Sequence, residues 1–345
     1  LGCILICSMI LSSCDVHEFP DPIEQEISFT INLSYDTSLP LYKVITHDNG
    51  SRTVNESEKH NIRYVIEVYP ADEENKSQGR TTLHRFVFIK EDVSSLDYRV
   101  EIPLERGAYN FVVWSDYVKA NDNDLYYNTQ VFEEITLRSD NHNGSNDFRD
   151  AFKGTVTSEV SEFVTSATID MQRPMAKFNF ISNDVKEFVS NIQSIRAEKQ
   201  RSRGDEKSND NNSSSGTVGI EDIDFSEFNI LFRYNGFMPD SFNAYTGKPS
   251  DASTGVSFDS KIKILENGDA ELGFDYIFVN GTESSISVSV EVYDYDGELL
   301  SRFKPIEVPL IRSHLTTIKA SFLTSGTGGV TIIPDFDGDF NIQVN

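Results

Sequence analysis

The sequence predicts an all-β protein built as two tandem β-sandwich domains with few short helices. Three observations predict it: apolar residues alternate with a period of two, glycine-containing turn pairs punctuate the alternation, and helical periodicity is scarce. Ile286, Val288, Val290 and Val292 face one way while Ser287, Ser289, Glu291 and Tyr293 face the other, as in a half-buried antiparallel strand. Asn235-Gly236, Asn267-Gly268, Asn280-Gly281 and Asp296-Gly297 lie between such runs. Each pair supplies the positive φ angles of a tight hairpin turn, so residues 228–310 read as a meander of hairpins.

The first half follows the same pattern, with candidate strands at 27–34, 62–69, 83–89, 98–104 and 109–117, and Arg106-Gly107 as the turn before the last. The best helix candidate is 184–195, where Val185, Phe188, Val189 and Ile192 recur at helical spacing behind candidate caps at Ser182 and Asn183. A shorter helical turn is predicted at 158–164. The domain boundary is expected near Arg173-Pro174, between strands at 167–171 and 175–181, because a proline there cannot donate to a ladder. This gives one sandwich over 27–172 and a second over 173–345. Residues 197–218 carry almost no apolar side chains and are expected to form a disordered loop, and Arg138 to Asn146 is similar in character.

Residues 1–13 are uncharged and apolar, too short to span a bilayer, and read as the remnant of a signal peptide. They run into Leu11-Ser12-Ser13-Cys14, which resembles the bacterial lipobox, where cleavage precedes a cysteine whose thiol is then acylated. The mature chain is thus expected to begin at Cys14, with acidic, proline-broken residues 14–26 as a lipidated tether. The other two cysteines, Cys3 and Cys7, leave with the signal peptide, so no thiol remains for a disulfide or a zinc cluster. A net charge of −25 repels phosphate backbones and excludes nucleic acid as a partner.

Catalytic signatures are missing. The six histidines have no metal-ligand spacing, and no phosphate loop, nucleophile elbow or Ser-x-x-Lys motif appears, so the chain reads as no enzyme, with no cofactor and no metal. The acids of Asp294-Tyr295-Asp296-Gly297-Glu298 and of Asp335-Phe336-Asp337-Gly338-Asp339 invite a calcium reading but miss the EF-hand spacing, and Asp-Gly is first of all a turn. Trp114, the only tryptophan, sits in an apolar strand as a core residue rather than a sugar platform. Arg203-Gly204-Asp205 matches an adhesive tripeptide by chance alone.

Four segments carry a resemblance to the fimbrillin-like lipoproteins of Bacteroidota surface pili. They are Leu11–Cys14, Gly107–Trp114, Met171–Phe180 and Gly328–Phe340. The resemblance implies transthyretin-like, Greek-key sandwiches and a minor or anchoring subunit, held to the outer membrane at the cell surface through acyl chains on Cys14. It also implies other pilus subunits as partners, joined by strand donation. The candidate donor or docking residues are Phe340, Ile342 and Val344, which alternate with polar neighbours; the plain alternative is that they form the last strand of their own domain. Polymerising members of the family lose an N-terminal strand after a basic residue, for which Arg52 is the candidate. A rival reading is a surface lipoprotein that captures glycans or host proteins with its loops.

Overall fold

The structure, a computed structural model, describes residues 26–35, 60–73, 82–91, 97–119, 124–138, 142–202, 220–324, 330–334 and 342–344. Cys14, Arg52, Phe340, the Arg203 tripeptide and the Asp335–Asp339 acids lie outside them. Nine strands come first: β1 (Ile27–Tyr35), β2 (His60–Pro70), β3 (His84–Lys90), β4 (Tyr98–Leu104), β5 (Gly107–Lys119), β6 (Tyr127–Asn128), β7 (Ile135–Leu137), β8 (Ala151–Val160) and β9 (Ser166–Met171). Then β10 (Met175–Ser182) leads into helix α1 (Val185–Ser202). After it come β11 (Asn229–Tyr234), β12 (Met238–Asn243), β13 (Lys248–Ser253), β14 (Ser257–Ser260), β15 (Lys263–Ile264) and β16 (Ala270–Phe278). The last are β17 (Glu283–Tyr293), β18 (Leu299–Ile311), β19 (Leu315–Ala320), β20 (Val330–Pro334) and β21 (Ile342–Val344).

The fold is all-β, as predicted. A three-stranded sheet, β4-β1-β9, faces a four-stranded one, β3-β2-β5-β8. Their shared core is drawn from residues 29 to 171, with Phe29 stacked on Phe111 at 5.4 Å. A six-stranded sheet, β15-β16-β10-β19-β20-β21, faces β14-β11-β17-β18 over a core drawn from residues 176 to 332. Helix α1 covers this second core with Val185, Phe188, Val189 and Ile192, the side chains its periodicity selects. The chain passes from one core to the other between Met171 and Ala176.

A third core joins the two. Val65, Val112 and Trp114, on the outer face of β2 and β5, pack against Met175, Phe242, Phe274 and Phe278. Both central strands are therefore buried on both faces, which is why Phe111 to Trp114 reads as an unbroken apolar run. Trp114 is wholly buried, as its strand context predicts. A small sheet, β13-β12-β7-β6, crosses the same seam, with Phe242 opposite Ile135.

Several local expectations change. Asn267-Gly268 and Asp296-Gly297 do close hairpins, β15 to β16 and β17 to β18, with φ of +84° and +79°. Asn235-Gly236, Asn280-Gly281 and Arg106-Gly107 instead join strands that do not pair, carrying the chain from one sheet to another. Residues 158–160 continue β8 and 161–164 form a turn, so no helix lies there. Ser182 does not cap α1; its hydroxyl accepts the amides of Phe322 and Leu323. The helix also extends to Ser202, because Ala197 to Arg201 are strong helix formers despite their polarity.

The polar stretch before Asn146 is the main correction. Its described part, 142–146, is built into the seam: Ser145 holds a φ of +53°, its amide donates to the Phe274 carbonyl at 2.7 Å, and its hydroxyl meets that of Ser260 at 2.7 Å. Gly144 lies so close to the Phe258 ring that a Cβ would overlap it. Gly144→Ala is therefore expected to cost about 1–3 kcal/mol through overpacking, read from urea unfolding. A free loop would tolerate the change.

Candidate functional site

Among the described residues no group of three or more His, Cys, Asp or Glu side chains could hold a metal ion. The Asp294 cluster is a turn: Asp294 Oδ1 accepts the amides of Asp296 and Glu298 at 3.0 and 2.9 Å, and Lys199 Nζ bridges Asp294 and Asp296 at 3.3 and 3.0 Å. These carboxylates are spent on the turn and a lysine. What the fold presents outward is main chain at sheet edges.

Among the sheet edges of the described residues, β21 and β3 bear most directly on strand pairing with a partner. β21 is the outermost strand of the six-stranded sheet, three residues long, with Val344 opposite Val330 and Ile342 opposite Ile332. It contains two of the three candidate donor residues. β3 is the second edge, and the sequence reading did not single it out. It pairs with β2 in unbroken register from Val68↔His84 to Ile62↔Lys90, and no described strand pairs on its other side. Val87 and Ile89 on β3 are 50% and 41% exposed. A long apolar edge with neither proline nor bulge is a ready template for another strand. β18, also an edge, is blunted by Pro305, Pro309 and two register shifts against β17.

Buried and part-buried ion pairs tie elements together around the seam. The turn Asp147–Asp150, just before β8, supplies three of them. Arg149 bonds Asp275 on β16, and Asp275 also accepts from Tyr234 and contacts His142. Burial alone would raise the Asp275 carboxyl, but the Arg149 guanidinium and His142 outweigh it and hold the group below the usual aspartate range. Asp150 takes Arg173 bidentately, from Nε and Nη2 at 2.8 Å each, and the Arg173 guanidinium lies 4.6 Å over the Phe152 ring. Lys177 Nζ reaches Asp147 at 2.6 Å and the Phe274 ring at 3.8 Å. Arg63 grips Asp116 and Asp124 beneath the small sheet at 2.6 and 2.7 Å. None was legible as a site, since isolated Arg and Asp letters look like surface charges. The one signal was Arg173 beside a proline at the expected crossing point.

A family model for a family of unknown function, DUF6562, matches residues 20–345. The chain belongs to that family. No curated protein matches it. Among solved structures it is similar to a candidate adhesin of Bacteroides thetaiotaomicron, at 11% identity over 94% of this chain and 100% of that one, with a TM-score of 0.47. It is similar also to a candidate cell adhesion protein of Bacteroides ovatus, at 14% identity over 91% and 97% with a TM-score of 0.45. A third is a fimbrial assembly protein of Parabacteroides distasonis, at 13% identity over 92% and 100% with a TM-score of 0.38.

Two measurements check the seam. Arg173→Met strands the Asp150 carboxylate and is expected to cost about 3–5 kcal/mol in urea unfolding, with Asp150→Asn in the same chain restoring part of it. The stabilisation from Asp275 is complete above the ordinary aspartate pKa of about 3.9 and is lost as pH falls through its lower folded value. Asp275→Asn should accordingly flatten the decline of stability with acid below about pH 4, followed as urea midpoint against pH.

Proposed function

We propose that this chain is a lipid-anchored protein of the outer membrane surface that serves as a minor or anchoring fimbrial subunit, assembles by β-strand complementation, and catalyses nothing. The observation that carries the reading is β21, an outermost strand held to β20 by only three residue pairs. Such a strand exchanges its main-chain hydrogen bonds for identical ones in a neighbour at little net cost. Phe340, Ile342 and Val344 are the proposed docking residues, Cys14 the acylated anchor, and Arg52 the proposed cleavage site. The net charge of −25 leaves membrane attachment to the acyl chains.

Cysteines placed at Thr331 and Gln343, which face each other across β20 and β21, distinguish exchange from internal pairing. On intact piliated cells, where β21 would lie in another subunit, oxidation is expected to leave the two cysteines unlinked, whereas the purified chain forms the internal disulfide. Disulfides formed within single chains on those cells would remove the reading. The intact mass of the native protein reports acylation at Cys14 and any cut after Arg52.

A second reading, capture of glycans or host proteins, draws on Phe163, 95% exposed at the β8–β9 turn, and on Phe237, 76% exposed beside Asn235-Gly236. Saturable glycan or host-protein binding in a strain without pili would favour it.

A further inference from the structure

A pocket of about 240 Å³ opens on the seam between the two sandwiches. β8 and the crossing segment Gln172–Pro174 form one wall, and Phe242 with Arg312 forms the other, so the pocket exists only because the two bodies are joined. Lys153 and Thr155 project from the same face of β8 as Ala151, toward the second body, since successive strand residues alternate. Arg312 is fixed by Nη2, which donates to the carbonyls of Gly247 and Val279 at 3.0 Å each. Its Nε is buried and has no partner.

The two cations are unusual in this chain. Arg63, Arg149 and Arg173 each meet a buried aspartate, yet no carboxylate pairs with Lys153 or Arg312 among the described residues. Asp170 lines the rim, but it is exposed and joins neither cation in an ion pair. Burial and the neighbouring Arg312 push the Lys153 ammonium down to about 8. A protein with 55 acidic residues that keeps two partly desolvated cations unpaired around a cavity forgoes stability there. An incoming anion would recover it.

We propose that this pocket binds a compact organic carboxylate, with Lys153 and Arg312 taking the carboxylate, Thr155 and Gln172 offering polar contacts at the rim, and Phe242 and Pro174 the apolar floor. The volume lies below the roughly 300–1,000 Å³ of drug-sized sites, which suits a ligand the size of a single sugar acid. This site does not depend on strand exchange.

The test titrates the full chain with D-glucuronate, D-glucose and sulfate by calorimetry, and repeats the series with Lys153→Met and Arg312→Lys. Saturable binding of glucuronate, none of glucose, and at least about tenfold weaker binding in Lys153→Met are expected. Lys153→Met should also melt higher than the unaltered chain without ligand, because it removes an unpaired cation. Arg312→Lys, which keeps the charge but not the fork, should weaken glucuronate with the fold intact by circular dichroism. Equal affinity for sulfate and glucuronate would overturn the carboxylate assignment. No saturable glucuronate binding, or binding unchanged in both variants, would overturn the site.

Discussion

Everything in this molecule depends on two strands that have no solvent face. β2 and β5 pack one side into the first sandwich and the other into the seam around Trp114, so the interface between the bodies is continuous with a hydrophobic core. Hinged domains usually meet through smaller and more polar surfaces. Here the small sheet, with strands from both halves, and the Asp147–Asp150 turn add hydrogen bonds and ion pairs over that apolar contact. The outward edge of β3 is consequently one strand away from a core shared by both sandwiches.

Much of the fold was legible because period-two burial is a local property. The candidate strands at 27–34, 62–69, 98–104 and 109–117 fall on β1, β2, β4 and β5 within about two residues, the usual uncertainty of strand ends. Turn chemistry was legible only in part. Asn-Gly fixes a local backbone bend but not the sheet that the next strand joins, so Asn280-Gly281 reads like Asn267-Gly268 while doing a different job. Residues 142–146 were misread for a related reason. Polar residues are spent on main-chain and ionic contacts in a buried seam, and composition cannot distinguish that from exposure to water.

The candidate sites divide along the same line. The alternation around Ile342 and Val344 is visible in one dimension, whereas the β3 edge and the Lys153–Arg312 pocket arise from neighbours far apart in the chain. Buried ion pairs contribute little net stability compared with apolar contacts of the same volume, but they penalise every arrangement that separates the partners. In a chain with so many acids, Arg149 and Arg173 thereby select one relative placement of the sheets, while Arg63 with Asp116 ties β2 to β5 within one sheet. Lys153 and Arg312 stand outside that logic, which is what makes their pocket informative.

The parallel pairing of β10 with β19 also constrains how the chain folds. Ser182 and Ala320 are neighbours in the sheet although 138 residues separate them. Contacts of such high order form slowly, since the entropy of closing a long loop comes before any reward. As the polypeptide emerges end first, β10 waits without its parallel neighbour until β19 arrives, leaving an apolar edge open to aggregation. The interval between the emergence of β10 and that of β19 is therefore when the chain is most exposed to misassembly.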